Sequence, residues 1–377
     1  VRVVMISKAL VVSTYRQKAA LMAAEPGLEL TVIVPPGWRE KRSRLPLEEG
    51  NTPGYRMVVS PVVWNGSYHM HWYPQLSRLL NEILPDLVHI DEEPYNLATY
   101  LALRAANRVG ARAIFFSWQN VGRTYPPPFR WFERYVYAHA AGAIAGNHAA
   151  ASVLAEKGYA GPLAVIPQFG VDPALFAPQP RLGEQPFTIG FAGRLVEEKG
   201  LWVLVEALQR LEGPWRMQFM GDGPLLPALQ ERLQELGMSE RVSWQPRIPS
   251  SEMPSMLAAL DVLVLPSLTR PNWKEQFGRV LIEAMACGTP VVGSDSGEIP
   301  HVIGDAGLVV PEGDVAALAA ALARLRDDPA LRAALSRLGR ERVLAGFTQE
   351  QVARAIVALY RALLAGPGSG ITPPQSL

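Results

Sequence analysis

The stretch Glu275-Gln-Phe-Gly-Arg-Val-Leu-Ile-Glu-Ala-Met-Ala-Cys-Gly-Thr-Pro-Val-Val-Gly293 contains the pattern that decides the fold of this chain. Its apolar residues at positions 280, 281, 284 and 285 follow helical spacing and predict a helix packed on a sheet. Gly288 ends that helix, and a buried strand is predicted over residues 290–293. A helix followed at once by a buried strand is the repeating unit of an α/β fold.

Two carboxylates in this stretch indicate a ligand. Glu275 is predicted just before the helix and Glu283 about two turns into it, so that eight helical residues separate them by roughly 12 Å. An extended nucleotide-sugar has about that reach between its hexose and its ribose. Carboxylates accept hydrogen bonds from sugar hydroxyls, and the free amides of a helix start suit a diphosphate.

The same alternation of short apolar runs and helical patterns continues along the chain. Strands are predicted over residues 3–7, 30–34, 86–90, 112–116 and 142–145, and then over 187–191, 216–220, 241–244, 262–265 and 290–293. Alternating strands and helices predict doubly wound parallel sheets. The fold class is therefore α/β, with two Rossmann-like domains that face a cleft and bind ligand at the carboxyl ends of their strands.

A length of 377 residues also favours two domains. The first is predicted over residues 1–172, a proline-rich hinge over 173–186, and the second domain over 187–348. A last helix over 349–365 is expected to return to the first domain. Residues 366–377 are expected to form a flexible tail.

Composition narrows the class of protein. The net charge is +1, which gives no reason to expect a nucleic-acid partner. Cys287 is the single cysteine, so the chain has no internal disulfide, and a reducing compartment is expected. With no signal-peptide pattern and no apolar run of membrane length, a cytoplasmic location is predicted.

Loops at the predicted carboxyl ends of second-half strands carry the candidate chemistry. Gly193-Arg-Leu-Val-Glu-Glu-Lys199 offers two cations, Arg194 and Lys199, which suit a diphosphate. The alternative is solvated cations beside two glutamates. Gly221-Asp222 and Arg247-Ile248 follow the next two strands, and each is open to interpretation as a ligand contact or a plain loop.

Taken in order, these pieces resemble the family 4 glycosyltransferases of GT-B fold. Val165-Ile-Pro-Gln-Phe-Gly-Val-Asp172 is similar to that family's interdomain segment. The resemblance implies transfer of a hexose-type sugar from a nucleoside diphosphate sugar to a hydroxyl acceptor, with retention of anomeric configuration. The expected acceptor is a polysaccharide, a lipid-linked sugar or a small-molecule glycoside.

The resemblance also implies residue roles. Arg194 and Lys199 bind the donor diphosphate, Glu283 binds the ribose, and Glu275 binds the transferred sugar. Glu275, Arg194 and Lys199 are the predicted catalytic residues. The predicted donor-binding set is completed by two loops and the start of the helix, namely Gly193, Gly221, Asp222, Arg247, Ile248, Phe277, Gly278 and Arg279.

Metal and cofactor are predicted to be absent, with the nucleoside diphosphate sugar entering as substrate. No two aspartates are two residues apart, and no cluster of His, Cys and carboxylates has metal-ligand spacing. Two cations and a helix N-terminus can stabilise the charge that develops on the leaving phosphate.

The acceptor is expected in the first domain, where the sequence departs from the family. The family often has a histidine after a first-domain strand, whereas this chain has Phe115-Phe-Ser-Trp-Gln-Asn120. Glu92 and Glu93 are also consistent with a helix-capping turn, and His69 and His71 are also consistent with an ordinary loop. The candidates are Lys8, Tyr15, His69, His71, Glu92, Glu93, Tyr95, Gln119 and Asn120.

Residues 38–44 form a basic run, and residues 129–135 mix aromatic and basic side chains. Both suit either a solvated loop and a core-facing helix or peripheral contact with an anionic membrane. Three rivals to the transferase remain. They are a nucleotide-sugar epimerase of the same fold, a phosphorylase, and a nucleotide-sugar-binding scaffold without catalysis.

Overall fold

The computed structural model describes residues 1–40, 44–50, 52–180, 185–246, 248–249 and 251–366. The predicted base contact Arg247, part of the predicted hinge, part of the basic run and nearly all of the predicted tail lie outside the described residues. The chain separates into two units. One comprises Val1–Gly170 together with the chain from Gln349, and the other comprises Val171–Thr348.

The first unit is built on a seven-stranded parallel sheet in the order β5-β2-β1-β6-β7-β8-β9, with β3 and β4 paired antiparallel beside it. Its strands are β1 (Arg2–Ile6), β2 (Glu29–Val34), β3 (Gly37–Arg39), β4 (Arg44–Pro46), β5 (Arg56–Val59), β6 (Leu87–Ile90), β7 (Arg112–Ser117), β8 (Gly142–Ala145) and β9 (Leu163–Val165). Its first helices are α1 (Gln17–Ala23), α2 (Leu76–Ile83), α3 (Leu97–Arg108), α4 (Phe129–His139) and α5 (His148–Glu156).

The second unit is built on a six-stranded parallel sheet in the order β12-β11-β10-β13-β14-β15. Its strands are β10 (Phe187–Ala192), β11 (Trp215–Met220), β12 (Val242–Gln245), β13 (Val262–Leu265), β14 (Val291–Ser294) and β15 (Leu308–Val310). Its helices are α6 (Leu201–Arg210), α7 (Leu226–Glu235), α8 (Met253–Ala258), α9 (Arg279–Ala286), α10 (Ile299–Ile303), α11 (Val315–Asp327) and α12 (Pro329–Gly346).

Two doubly wound parallel sheets confirm the predicted fold class. All ten predicted strands are present, each within one residue of its predicted ends. The prediction missed β5, β9 and β15, which are short strands at sheet edges where the apolar run is brief. It also described residues 38–44 as a loop, whereas Trp38 is buried in β3 and only residues beyond Arg39 leave that strand.

Each sheet has one place where the direction of winding reverses. In the first unit β1 lies between β2 and β6, and in the second β10 lies between β11 and β13. The loops that leave β1 and β6, or β10 and β13, diverge there and leave a crevice at the carboxyl ends of the strands. Such a switch point is the usual ligand position in this class of sheet.

A last helix, α13 (Gln349–Ala365), completes the first unit. Its Ile356 and Tyr360 are buried in one apolar cluster with Met22 of α1 and Val32 of β2. The Tyr360 hydroxyl lies 2.6 Å from Nδ1 of His89 on β6. Within the described residues, no helix is both long enough and apolar enough to cross a membrane.

Candidate functional site

The loops that follow β10 and β11 are held together by glycines. Gly193 N donates to Met220 O at 2.9 Å, and Leu195 N donates to Asp222 O at the same distance. Gly221 has φ +140°, and a Cβ there would lie 2.0 Å from Gly193 O. Only glycine allows so close an approach of two backbones. The structure therefore brings the predicted Gly193, Gly221 and Asp222 together at the carboxyl ends of two neighbouring strands.

The loop that follows β10 is also fixed to the loop that follows β13. Gly200 has φ +68°, and a Cβ there would lie 1.9 Å from Pro266 O. Leu268 N donates to Glu198 O at 2.8 Å. These contacts position a single 3₁₀ turn, Glu197–Lys199, at the switch point of the second sheet.

Lys199 and Glu275 form an ion pair at this switch point. Lys199 Nζ lies 2.5 Å from Glu275 Oε2, and the two side chains are 14% and 9% exposed. Ser267 Oγ, in the loop that follows β13, donates to the same carboxylate oxygen at 2.8 Å. The Lys199 ammonium also lies 5.2 Å from the centre of the Trp273 ring. The sequence placed both residues in one site but did not predict this pair or the part that Ser267 takes in it.

The second predicted carboxylate lies on α9. Gly278, with φ +73°, precedes the first helical residue, and Arg279 Nε lies 2.8 Å from Glu283 Oε1. Burial raises the pKa of Glu283, although the neighbouring Arg279 lowers it. The expectation of roughly 12 Å between the carboxylates assumed eight helical residues. That premise is wrong, because the helix begins only at Arg279.

Other predicted donor residues differ in exposure. The Arg194 side chain is 70% exposed and its Nη2 lies 3.8 Å from Glu198 Oε1, which is the solvated arrangement considered as its alternative. Phe277 is buried and its ring centre lies 5.9 Å from that of Phe347. Ile248 follows β12 and is half-buried.

The first unit has its own lysine–carboxylate pair at its switch point. Lys8 follows β1 and forms an ion pair with Glu92, which follows β6. His71 Nε2 lies 3.3 Å from the other Glu92 oxygen, and both side chains are fully buried. Burial by itself raises the pKa of Glu92, but Lys8 and His71 outweigh it and hold the pKa at about 2. Three predicted acceptor residues are thus in contact with one another.

Glu93 has the opposite electrostatic character. Ser117 Oγ and Trp118 N each donate to its carboxylate at 2.7 Å. Burial is the larger influence and raises the pKa of Glu93 to about 7. The pKa values of these two adjacent carboxyl groups therefore differ greatly, because Lys8 and His71 both contact Glu92, whereas Glu93 has only neutral hydrogen-bond donors in contact with it.

The remaining acceptor candidates lie in aromatic surroundings. Tyr95 stacks on Tyr125 with ring centres 4.1 Å apart, and the His69 ring lies 5.4 Å from Tyr95. Both histidines lie in a loop, as their alternative interpretation expected. Lys157 Nζ lies 3.3 Å from Gln119 Oε1. The last two acceptor candidates are Tyr15 and Asn120. Tyr15 stacks on Phe169 with ring centres 4.3 Å apart, and Asn120 is buried.

Sequence reasoning missed a buried network around Asp91. Ser7 Oγ donates to Asp91 Oδ2 at 2.6 Å, and Gln168 Nε2 donates to Asp91 Oδ1 at 2.9 Å. Lys18 Nζ donates to the Gln168 carbonyl oxygen at 2.8 Å, and burial lowers the pKa of this lysine. The position of Asp91 directly after a strand was a usable signal, whereas Lys18 on a helix gave none.

Within the part of the chain that the structure describes, no three His, Cys, Asp or Glu residues are grouped so that they could hold a metal ion. The independence from metal stays a prediction that only an experiment can test.

Two family models match the chain. The model described as "Glycosyl transferases group 1" matches residues 175–342, and the model described as "Glycosyl transferase 4-like domain" matches residues 11–168. The two matches fall in different structural units and together account for most of the chain.

Two curated proteins illustrate the similarity. A 2-deoxystreptamine glucosyltransferase from Streptomyces kanamyceticus is 32% identical over 67% of this chain and 68% of its own length. A GDP-mannose-dependent alpha-(1-6)-phosphatidylinositol monomannoside mannosyltransferase from Mycolicibacterium smegmatis is 36% identical over 45% of this chain. This chain spans about half the length of the second protein, at 49%.

Solved structures share the fold across nearly the whole chain. Sucrose-phosphate synthase from Thermosynechococcus elongatus superposes with a TM-score of 0.72 at 21% identity, covering 97% of this chain and 99% of that one. The Anabaena protein HepE, solved in complex with UDP, gives 0.68 at 16% identity, covering 96% and 99%. At these identities the likeness concerns architecture alone.

Proposed function

Because the chain belongs to the group 1 glycosyltransferases, we propose that it transfers a hexose from a nucleoside diphosphate sugar to an acceptor hydroxyl. The proposed reaction retains anomeric configuration and uses no metal ion. The observation that carries the proposal is the Lys199–Glu275 pair at the switch point of the second sheet. A mostly buried cation and carboxylate at this place suit a ligand that is anionic at one end and rich in hydroxyls at the other.

Donor binding exchanges the partners of this pair. The diphosphate takes the Lys199 ammonium, which now lies 2.5 Å from Glu275. The Glu275 oxygen released in this way accepts hydrogen bonds from hydroxyls of the transferred sugar. Ser267, which already donates to that oxygen, keeps the carboxylate oriented. The ion pair in the free protein therefore holds both side chains in place until the donor arrives.

Other residues of the second unit complete the donor site. Glu283 accepts hydrogen bonds from the ribose hydroxyls, and the amides from Phe277 to Arg279 face the sugar and the phosphate. Arg194 lies in solvent with only a distant carboxylate neighbour, so it can turn onto the diphosphate at little cost. Because Gly193 and Gly221 have no side chains, the ligand can approach the backbone closely at both positions.

The chemical step breaks the bond between the sugar C1 and the phosphate oxygen and forms a bond between C1 and the acceptor oxygen. The acceptor proton passes to an oxygen of the departing diphosphate. Lys199 and Arg194 stabilise the negative charge that develops on that leaving group. Retention follows when the acceptor attacks from the face that the leaving group vacates, without a protein nucleophile.

We propose the base of the donor and the acceptor only as chemical classes. One curated relative is named for GDP-mannose, and the HepE structure contains UDP. Both bases are therefore candidates for this chain. The acceptor is a sugar, a glycan or a lipid-linked molecule, bound by the first unit through the Lys8, Glu92 and Tyr95 region.

A lipid-linked acceptor would explain one surface of the first unit. Helix α4 exposes Arg130, Trp131 and Arg134, and Trp131 is 63% exposed. An aromatic side chain between two arginines suits the headgroup region of an anionic membrane. We propose a cytoplasmic enzyme that contacts the membrane through this helix when its acceptor is lipid-linked.

The first test is thermal-shift titration of the protein with UDP, GDP and ADP, with and without EDTA. A ligand that binds the folded state raises the melting temperature by mass action. We expect a rise with one nucleotide, unchanged by EDTA, and a much smaller rise in Lys199→Ala. A rise that EDTA abolishes would contradict metal independence, and no rise with any nucleotide would contradict the donor site.

Product analysis separates the rivals. The donors tested are radiolabelled hexoses on the nucleoside diphosphate that the thermal shift selects. A transferase moves the label to a glycoside, and an epimerase keeps it on the nucleotide. A phosphorylase requires inorganic phosphate, and a scaffold binds the donor without turning it over. The absence of labelled glycoside with every acceptor class tested would favour the scaffold.

A further inference from the structure

The loop over residues 60–75, between β5 and α2, holds a tryptophan in an unusual conformation. Trp64 has φ +52°, and it shares a positive φ with only one other non-glycine residue that the structure describes, Leu84. Leu84 is the left-handed residue that ends α2, where its N–H donates to Leu80 O at 2.9 Å. Trp64 ends no helix, and it is 57% exposed. A strained backbone that presents a large aromatic ring to water points to contact with a ligand.

This loop is built rigidly. Val63 and Trp72 exchange backbone hydrogen bonds of 2.9 and 3.3 Å at its base. At its tip, Ser67 N donates to Trp64 O at 2.9 Å, and Gly66 adopts φ +94° within the turn that this bond closes. The backbone that carries the exposed indole is therefore fixed on both sides of it.

The loop is also pinned to β3 by one side chain. Asn65 Oδ1 accepts a hydrogen bond from Arg39 N at 2.9 Å, and Asn65 Nδ2 donates to Gly37 O at 2.8 Å. A Cβ on Gly66 would lie 2.9 Å from Arg39 O, so the two backbones nearly touch. The sequence Trp64-Asn65-Gly66 thus joins the loop to the hairpin of β3 and β4.

An open groove of about 550 Å³ lies between the loop and β3, lined by Arg39, Trp64, Asn65, Ser67 and Met70. Its lining combines an aromatic ring with hydroxyl, amide and guanidinium groups. A pyranose ring matches this combination, because its C–H face packs on an aromatic ring while its hydroxyls hydrogen-bond at the edge. A lipid chain would leave the polar groups unpaired, and one arginine alone makes a poor phosphate site.

We propose that this groove binds a pyranose ring of the acceptor that does not itself react. This inference rests on the proposed glycosyltransferase function and adds a second sugar subsite to it. The face of Trp64 packs on the sugar, and Arg39 and Ser67 hydrogen-bond its hydroxyls. The acceptor is then a glycoside or an oligosaccharide, and a bare alcohol is a poor acceptor.

Contacts along the loop connect this subsite with the switch point of the first sheet. The Tyr68 ring lies edge-on to Trp38 with ring centres 5.7 Å apart. Lys8 Nζ lies 5.4 Å from the centre of the Trp38 ring and 5.7 Å from that of Tyr68. Further along the same loop, His71 contacts Glu92. A glycan in the groove therefore extends over Tyr68 towards Lys8, where the reacting end of the acceptor is proposed to bind.

The test is ¹⁹F NMR of the full chain labelled with 5-fluorotryptophan. The resonance missing from Trp64→Phe assigns Trp64. Methyl α-D-glucopyranoside, methyl α-D-mannopyranoside and methyl β-D-galactopyranoside are titrated separately, with glycerol as a polyol that has no ring. We expect a saturable shift of the Trp64 resonance with at least one pyranoside and none with glycerol. Arg39→Ala should weaken that binding by roughly fivefold to tenfold.

Leu84→Ala is the matched control, because it truncates the other exposed apolar side chain at positive φ. It should leave the Trp64 shift intact. A Trp64 resonance that no pyranoside moves, or that glycerol moves equally, overturns the subsite.

The donor proposal is tested separately, by the thermal shift with UDP or GDP. A nucleotide shift without a Trp64 response removes the sugar subsite alone. A Trp64 response without any nucleotide shift removes the donor proposal and leaves a sugar-binding groove.

Discussion

The two sheets carry a lysine–carboxylate pair at the same topological position but surround it differently. In the first unit Glu92 contacts Lys8, lies 3.3 Å from His71 Nε2, and accepts a hydrogen bond from Asn96 Nδ2 at 3.1 Å. Its side chain is 1% exposed. In the second unit the Glu275 side chain keeps 9% of its surface exposed.

This difference separates two uses of buried charge. A carboxylate enclosed by a lysine, a histidine and an amide is held by the protein itself, and a ligand would have to replace several contacts at once. A carboxylate that keeps part of its surface exposed, as Glu275 does, can exchange its partners with a ligand. We infer that Glu92 mainly stabilises the first unit and holds Lys8 in place at the acceptor region, whereas Glu275 mainly binds ligand. Five measurements break or sharpen this contrast.

The largest effect is expected for Glu275→Gln, which keeps the volume of the side chain and removes its charge. The variant should slow transfer by about 100-fold or more, a loss typical of removing one preorganised electrostatic contact. The measurement is single-turnover transfer with the sugar nucleotide that yields labelled glycoside in the product analysis. Glu341→Gln, on the exposed face of α12, is the control. A rate within twofold of the wild type would remove Glu275 from the site.

Glu92→Gln should instead destabilise the fold. Neutralising the fully buried Glu92 leaves the mostly buried Lys8 without its counter-charge, at a cost of up to about 3–5 kcal/mol in the free energy of unfolding. Urea denaturation at pH 7 measures it. An unfolding free energy equal to that of the wild type, combined with lost transfer, would show that Glu92 acts on the acceptor and would reverse the contrast.

The acid limb of stability gives an independent measure of the same residue. The pKa of Glu92 is held at about 2 in the folded protein against 4.5 without the fold. Its stabilisation is therefore present above pH 4.5 and is lost as the pH falls towards 2, by about 3 kcal/mol. Glu92→Gln should flatten this part of the profile, and a wild-type slope in the variant would contradict the assignment.

Glu93 should show the opposite pH dependence. Its pKa is raised to about 7 from 4.5, so its favourable contribution is complete below pH 4.5 and is lost as the pH rises through 7. The loss is up to about 3 kcal/mol. Glu93→Gln should therefore be more stable than the wild type at pH 8, measured by urea denaturation. Glu82→Gln, an exposed carboxylate on α2, controls for charge. A variant less stable than the wild type at pH 8 would contradict the raised pKa.

The smallest effect is expected for nucleotide binding by Arg194→Ala, compared with Lys199→Ala. Losing the mostly buried lysine should weaken nucleotide binding by about 1.5–3 kcal/mol. Losing the exposed arginine should cost about 1 kcal/mol or less, because solvent screens it. Calorimetric titration with the preferred nucleoside diphosphate compares them. A larger loss for Arg194 would make Arg194, and not Lys199, the main phosphate contact.

Local pattern was enough to predict the architecture. Most of the ten strands followed from short apolar runs, because a strand inside a parallel sheet is buried on both faces. β11 and β12 alternate apolar and polar residues instead. The residues around Glu275 and Lys199 were found because glycines and charges recur at strand ends, where this class of fold binds ligand.

What the sequence did not reveal depends on contacts between distant positions. Lys199 and Glu275 are 76 residues apart, and Asp91 and Gln168 are 77 apart, so no local pattern links them. The left-handed backbone of Trp64 was equally invisible, because the turn at Asn65-Gly66 does not specify the residue before it. β3 was missed because tertiary burial of Trp38 outweighs the charged residues that follow it.

The last helix has a consequence for how the chain acquires its structure during synthesis. The second unit is continuous over Val171–Thr348, but the first lacks α13 until the ribosome has passed residue 365. Until then Met22 and Val32 have no Ile356 or Tyr360 to cover them, and His89 has no hydroxyl partner. The first unit is thus translated first but completed last. Its apolar face stays uncovered by α13 while the whole second unit is synthesised.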